Sequence, residues 1–269
     1  MEPVNPEFVP DASLTREEME TLQRDIADLA VFEDDLTFDP AAVCADSDPG
    51  QTHLGHEPDG EETDADSPVV VGVDQAFLDD ERAVSALVAM RDGEVIERVH
   101  AVAPTELPYI PGLLSFREGP AILAGFAELS VEPDLAFFDG SGRIHFREAG
   151  IATHVGVTLD LPSVGVAKSL LCGTPAGDTE GLATGERVPI EANGRVTAPD
   201  GTVVGYAVQT RQYDSPNRHV NPLYVSSGHR VSAETAADLV LSCAAGYKLP
   251  EPTRLADAYA DEAKETAGS

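Results

Sequence analysis

The sequence predicts an α/β fold: a mixed central sheet, made of an antiparallel meander plus parallel strands, flanked by helices. Three observations predict it. Three apolar segments fall between residues 68 and 104, the last two about a tight Asp-Gly turn, which reads as a meander. The segments after them alternate between strand and helix periodicity, which reads as parallel βα units. The chain is 269 residues long and 42% apolar, enough to bury one generous core.

The elements follow in order. In "SLTREEMETLQRDIADLAVF", Thr15 and Glu18 form a capping box, Leu14 and Met19 fall at the staple positions, and Leu22, Ile26 and Leu29 recur at helical spacing. Residues 1–43 therefore read as an N-terminal segment with a capped helix. Residues 44–67 lack periodicity and are rich in Asp, Glu, Gly and Pro, so they read as a flexible acidic insertion. His53 and His56 lie inside it, with no ordered scaffold to make them metal ligands.

"VVVGVDQAF" reads as a buried strand, and "AVSALVAMRDGEVIERVHAVA" as two strands about an Asp92-Gly93 turn. "LLSFREGPAILAGFAELS" is predicted helical, with Ile122, Phe126 and Leu129 on one face. "PDLAFFDGSG" reads as a strand ending in a turn, "REAGIATHVGVTLD" as a helix, and "PSVGVAKSLL" as a strand with Lys168 just beyond its apolar part. A polar loop over 172–186 precedes strands near 187–192, 202–209 and 222–226. "SAETAADLVLSCAAG" is the last long helix, with Ser232 as its N-cap, and 259–269 reads as an acidic tail.

The net charge is −31, the acids are spread along the chain, and only three residues are lysine. The even spread favours a protein working in concentrated salt over one with an acidic disordered tail. Such acidity does not exclude a nucleic-acid partner, but it argues against a broad electrostatic grip on one. Cys44, Cys172 and Cys243 are odd in number and far apart, which fits inert thiols in a reducing compartment. The first ten residues lack the pattern of a signal peptide, and no apolar run is long enough to span a bilayer. A cytoplasmic monomer is the expectation.

Three carboxylates fall at the ends of core elements. Asp74 interrupts an apolar strand, where nothing in strand propensity calls for it, and burying it is costly unless it is paired or metal-bound. If Val71 and Val73 face one side of the sheet, Asp74 faces the other. Glu118 lies early in a helix, where a solvated acid is ordinary. Asp139 precedes a Gly-rich turn, which is also ordinary. Together they can converge on one sheet edge and hold Mg²⁺ while leaving room for a substrate phosphate.

The runs "GVDQAF", "PYIPGLLSFREGP", "DLAFFDGSGRIH", "GIATHVGV", "PSVGVAKSLL", "YVSSGHRVS" and "LPEPTRLAD" closely resemble the endonuclease V family, in unbroken order over roughly residues 69–258. The resemblance implies an RNase H-like endonuclease domain over 68–258. It also implies Mg²⁺-dependent cleavage at the second phosphodiester 3′ to deoxyinosine, leaving 3′-hydroxyl and 5′-phosphate ends, with Mn²⁺ able to substitute. Carried over residue by residue, Asp74, Glu118 and Asp139 become metal ligands. Lys168 stabilises charge at the scissile phosphate, and His229 sits close to the metals.

Tyr109 becomes a wedge within the stiff loop Pro108, Ile110 and Pro111. The extruded base enters a pocket of Gly112, Leu114, Gly150 and Ile151, with His145 touching substrate. His154 is expected to pack or to meet a phosphate. The family's His-Pro-Arg is His145-Phe146-Arg147 here, so a residue that fixes φ is missing from the approach to the next helix. Two other readings are compatible with the residues: an inosine-specific endoribonuclease of the same fold, and a module that binds lesions without cutting.

Overall fold

A computed structural model describes residues 1–44, 67–78, 81–215 and 218–267. The insertion read over 44–67, with His53 and His56, lies outside the described residues except at its two ends. Among the described residues, nine strands form one mixed sheet: β1 (Val70–Phe77), β2 (Arg82–Arg91), β3 (Glu94–Pro104), β4 (Leu135–Asp139), β5 (Ser163–Ala167), β6 (Thr174–Pro175), β7 (Arg187–Glu191), β8 (Val203–Val208) and β9 (Leu223–His229). Their order across the sheet is β3-β2-β1-β4-β5-β9-β8-β7-β6. The β1–β2–β3 meander is antiparallel, and its Asp92 and Gly93 both have positive φ (51° and 76°), as a primed hairpin turn requires. β1, β4 and β5 run parallel, so their C-terminal ends share one edge.

Five α-helices of the described residues accompany the sheet: α1 (Arg16–Leu29), α2 (Leu114–Glu128), α3 (Ile151–Leu159), α4 (Ala233–Ser242) and α5 (Glu251–Ala267). The α1 capping box forms as its residues predict, and Leu14 and Met19 pack in one cluster. Alternation along the strands sorts the core into two layers. Val71, Val73, Ala136 and Phe138 pack with Ile122 and Phe126 of α2 and Val155 of α3. Val70, Leu135, Phe137, Val164 and Val166 pack with Leu239 and Val240 of α4 on the other face. Helix α5 also lies on this second face, over β1 and β2.

Several boundaries differ from the sequence reading. Helix α3 starts at Ile151 rather than 147, because Glu148 takes a left-handed conformation (φ 52°) and residues 147–150 turn beneath the loop that follows β3. The stretch read as a loop over 172–186 contributes the two-residue strand β6. The stretch read as a tail continues α5, because Ala256, Ala260 and Ala263 recur at helical spacing and are buried. The inert-thiol reading is corrected: Cys44 and Cys243 form a disulfide, with Cα atoms 5.3 Å apart. The end of α4 meets the 40–44 segment, with Val43 and Cys243 in one core cluster. Cys172 is free and buried.

Candidate active site

Strand register builds the site. Val73 of β1 pairs with Phe138 of β4, so the next residues, Asp74 and Asp139, emerge side by side at the shared C-terminal edge. Asp139 in turn pairs with Val166 of β5, two residues before Lys168. By alternation, Asp74, Asp139 and Lys168 all lie on the face opposite Val71 and Val73, the face that α5 covers.

Helix α5 adds a fourth group, Asp257. Carboxylate oxygens of Asp74, Asp139 and Asp257 all lie within 4.8 Å of one another. Lys168 Nζ donates to Asp139 Oδ2 at 2.8 Å and to Asp257 Oδ1 at 3.3 Å. The approach of α5 depends on Gly72, two residues before Asp74 on the same face. A Cβ there would stand 1.9 Å from the Pro252 carbonyl oxygen, so only glycine lets the helix lie this close.

The electrostatics are those of like charges forced together. Burial, followed by the Asp139 charge, pushes the Asp74 carboxyl up to about 8. Burial pushes Glu118 up to about 7, against the pull of Arg117 and with a further push from Asp139. Desolvation pulls the Lys168 ammonium down, but the Asp139 hydrogen bond and the charges of Asp139, Asp74 and Asp257 together hold it above the ordinary range. All the converging ligand atoms are hard carboxylate oxygens, which fits a divalent cation. Glu118 reaches the same cavity from α2, on the opposite face of the sheet, which is why it stands beside the three-carboxylate cluster and outside it.

The cavity has a volume of about 420 Å³. Asp74, Glu118, Asp139 and Lys168 are among the residues that line it, as are Tyr109, Pro111, Gly112, Leu114, His145, Gly150 and Ile151. Of the expected substrate-binding residues, Pro108 and Ile110 do not line it. Ile110 packs instead with Met19 and Phe116. Tyr109 is 66% exposed.

The loop beneath Tyr109 is a reverse turn in which Leu113 N–H donates to the Ile110 carbonyl at 3.0 Å. Pro111 and Gly112 (φ 84°) occupy its centre, the pairing a type II turn prefers. Helix α2 begins immediately after it with no side-chain cap. The Phe116 N–H of its first turn donates to the Leu113 carbonyl at 3.2 Å.

Two histidine expectations change. His229 is not brought to the carboxylates. It ends β9 opposite Ser163, the first residue of β5, whereas the carboxylates gather past the last residue of β5. That separation is roughly 15 Å at about 3.3 Å per residue. There the Val31 N–H donates to Nδ1 at 3.2 Å, and Nε2 lies 3.1 Å from Asp160 Oδ1. Burial holds its imidazole below the usual value against the pull of Asp160. The strand was read as ending at 226, which hid this placement.

His145 lines the cavity, but both its nitrogens are engaged within the chain. Nδ1 accepts from the Arg147 N–H at 3.2 Å, so Nε2 carries the proton and donates to the Gly112 carbonyl at 3.1 Å. Burial pushes its pKa down to about 3. It shapes the loop and has no free ring nitrogen to offer a substrate. His154 packs: it meets Ser115 Oγ at 2.9 Å and donates to the Phe8 carbonyl at 2.8 Å.

Asp257 is the residue that sequence reasoning missed. It lies inside the quoted run "LPEPTRLAD", one turn beyond the buried Thr253. The buried stripe Thr253, Ala256 and Ala260 would have put Asp257 beside the sheet-facing side of a helix.

The chain is similar to known proteins over most of its length. The profile of the family described as Endonuclease V matches residues 54–258. Endonuclease V of Haloarcula marismortui is 62% identical over 98% of each chain. That of Halobacterium salinarum is 59% identical over 97% of this chain and 98% of its own. Among solved structures, Endonuclease V from Streptomyces avermitilis superposes with a TM-score of 0.74 at 30% identity, covering 98% of both chains. A Ciona intestinalis Endonuclease V, in complex with DNA containing an inosine followed by a ribo-adenosine, shares the fold. Its TM-score is 0.68 at 22% identity, over 93% of this chain and 98% of its own.

Proposed function

The chain belongs to the endonuclease V family of nucleases, and on that footing we propose that it is a Mg²⁺-dependent repair endonuclease acting on DNA that contains deoxyinosine. It hydrolyses the second phosphodiester 3′ to the lesion and leaves 3′-hydroxyl and 5′-phosphate ends. One observation carries the reading: a single cavity joins a cluster of carboxylates and one lysine to a stiff loop that holds out an exposed tyrosine. The inosine-containing DNA bound by the Ciona protein supports the same substrate class.

In this reading Tyr109 enters the duplex and offsets part of the unstacking cost when the lesion nucleotide leaves the helix. The pocket between Gly112, Leu114, Gly150 and Ile151 takes the base. Hypoxanthine differs from adenine in carrying O6 and an N1–H, and backbone amides and carbonyls can read that difference. Asp74, Asp139 and Asp257 would hold the cation, with Glu118 beside them. The bound ion would supply positive charge to the phosphodiester and acidify water. Lys168 keeps its proton and directs an N–H toward the charge that develops on the phosphate.

The test is incubation of the full chain with a single-inosine duplex, Mg²⁺ and molar KCl. A nick at the second 3′ phosphodiester is expected, and an intact strand beside a working control enzyme would refute the reading. The ribo-adenosine following inosine in the Ciona complex favours a second reading, cleavage of inosine-containing RNA. Rates on matched DNA and RNA strands separate the two.

A further inference from the structure

One buried side chain from outside the expected domain bridges the two walls of the base pocket. Gln23 of α1 is 1% exposed. Its Nε2 donates to the Gly112 carbonyl at 3.0 Å, on the wall that carries Tyr109, and to the Ala149 carbonyl at 3.4 Å, on the wall that leads to Gly150 and Ile151. Its Oε1 accepts from Arg147 Nε at 2.7 Å. Both amide N–H groups and the amide oxygen are thus engaged, and every bond goes to the pocket's walls or to the side chain beneath them.

Arg147 doubles the contact. Its Nη2 donates to the same Gly112 carbonyl at 3.1 Å, and Nη1 lies 3.7 Å from Glu20, one turn before Gln23 on α1. With His145, three donors converge on one carbonyl oxygen. A carbonyl has two lone pairs, so the three donors saturate it and tie this peptide to α1, His145 and Arg147 at once. The neighbours of Gln23 on α1 keep the helix from sliding, since Met19 and Ile26 are both buried.

We propose that Gln23 is a positioning residue for lesion recognition. Its amide fixes the separation of the Gly112 and Ala149 walls at the width where their backbone groups can distinguish hypoxanthine from an undamaged base. The N-terminal helix then belongs to the reading apparatus. This proposal rests on the inosine-specific reading above, and Gln23 itself touches no reacting atom.

The experiment compares wild type with Gln23→Met, which keeps the length and removes the amide. Dissociation constants are measured for a single-inosine duplex and for the undamaged duplex of the same sequence, with Ca²⁺ in place of Mg²⁺. The preference for inosine should fall about tenfold or more, the effect of losing one or two net hydrogen bonds. Binding of undamaged DNA should stay within about twofold. Gln23→Glu keeps the acceptor for Arg147 and loses both donors, so it should show the same loss.

Unchanged preference in a folded variant overturns the proposal, and so does a parallel loss of affinity for both duplexes. In the wild type, the Gln23 side-chain amide resonances should shift on adding the inosine duplex and stay in place with the undamaged one; no difference overturns the proposal without any variant. A wild type that has no preference for inosine overturns the function as well, which distinguishes that failure from failure of the brace alone.

Discussion

The two ends of β5 treat charge in opposite ways. At the Ser163 end, Asp160, Asp35 and Asp34 each meet a base or a donor. Asp160 accepts from Arg230 at 2.8 Å and faces His229 at 3.1 Å, Arg230 also pairs with Asp35, and Asp34 accepts from the Ser232 N–H at 2.7 Å. At the Lys168 end, three carboxylates share one ammonium, and a fourth waits on α2. The first arrangement closes a structure and asks for nothing more. The second is uncomfortable without a further cation, and such frustration marks where a fold gives up stability for chemistry.

The sharpest way to break this comparison is to substitute one residue at each end. Asp139→Ala should lower inosine nicking roughly a thousandfold. Its melting temperature should hold, because a like charge has gone. His229→Ala should do the reverse, costing about 1–3 kcal/mol of stability while folded enzyme keeps its turnover. Loss of cutting in a well-folded His229→Ala would restore the catalytic role that the family resemblance implied, and would collapse the contrast.

Acid should expose a third kind of group, histidines buried as neutral bases. Burial pushes His154 down to about 4 from an ordinary value of 6.5. Its stabilisation is complete above pH 6.5 and is lost as pH falls toward 4, because the unfolded chain takes up the proton first. The slope is worth about 3 kcal/mol. Denaturant midpoints between pH 7 and 4 should therefore fall, and His154→Gln should flatten that fall. An equally steep fall in the variant would assign it to other groups.

Gly72→Ala tests the site end through its scaffold. The added methyl meets the Pro252 carbonyl, so α5 must shift and take Asp257 with it. A loss of about 1–3 kcal/mol in stability should accompany weaker Mg²⁺ activation. Unchanged half-activation by Mg²⁺ would remove Asp257 from the site. The smallest effect should come from Tyr109→Ala, with affinity for inosine DNA down about tenfold, the worth of one stacked ring. Its melting temperature should not move, since the ring is 66% exposed; a marked fall would make Tyr109 a packing residue.

Local signals made much of this legible in the sequence. Asp74 stood out because it breaks an apolar run, and the Asp92-Gly93 turn and the Thr15–Glu18 box both formed where their chemistry places them. What stayed hidden depends on contacts between distant segments. Asp257 joins the site only because Gly72 lets a helix lie on β1. His229 reads as a loop residue until β9 is seen to run past Ser227. The cysteines stand 199 residues apart, a spacing that carries no information about pairing.

That disulfide has a consequence for how the molecule holds together. The nine strands of the described residues all lie between Cys44 and Cys243, so the sheet they form is enclosed in one covalent ring. A single break in the backbone anywhere along that ring opens a circle and severs nothing. The nicked protein remains one molecule, with the residues that carry Asp74, Asp139 and Lys168 still tethered on both sides of the break, until a reductant releases them.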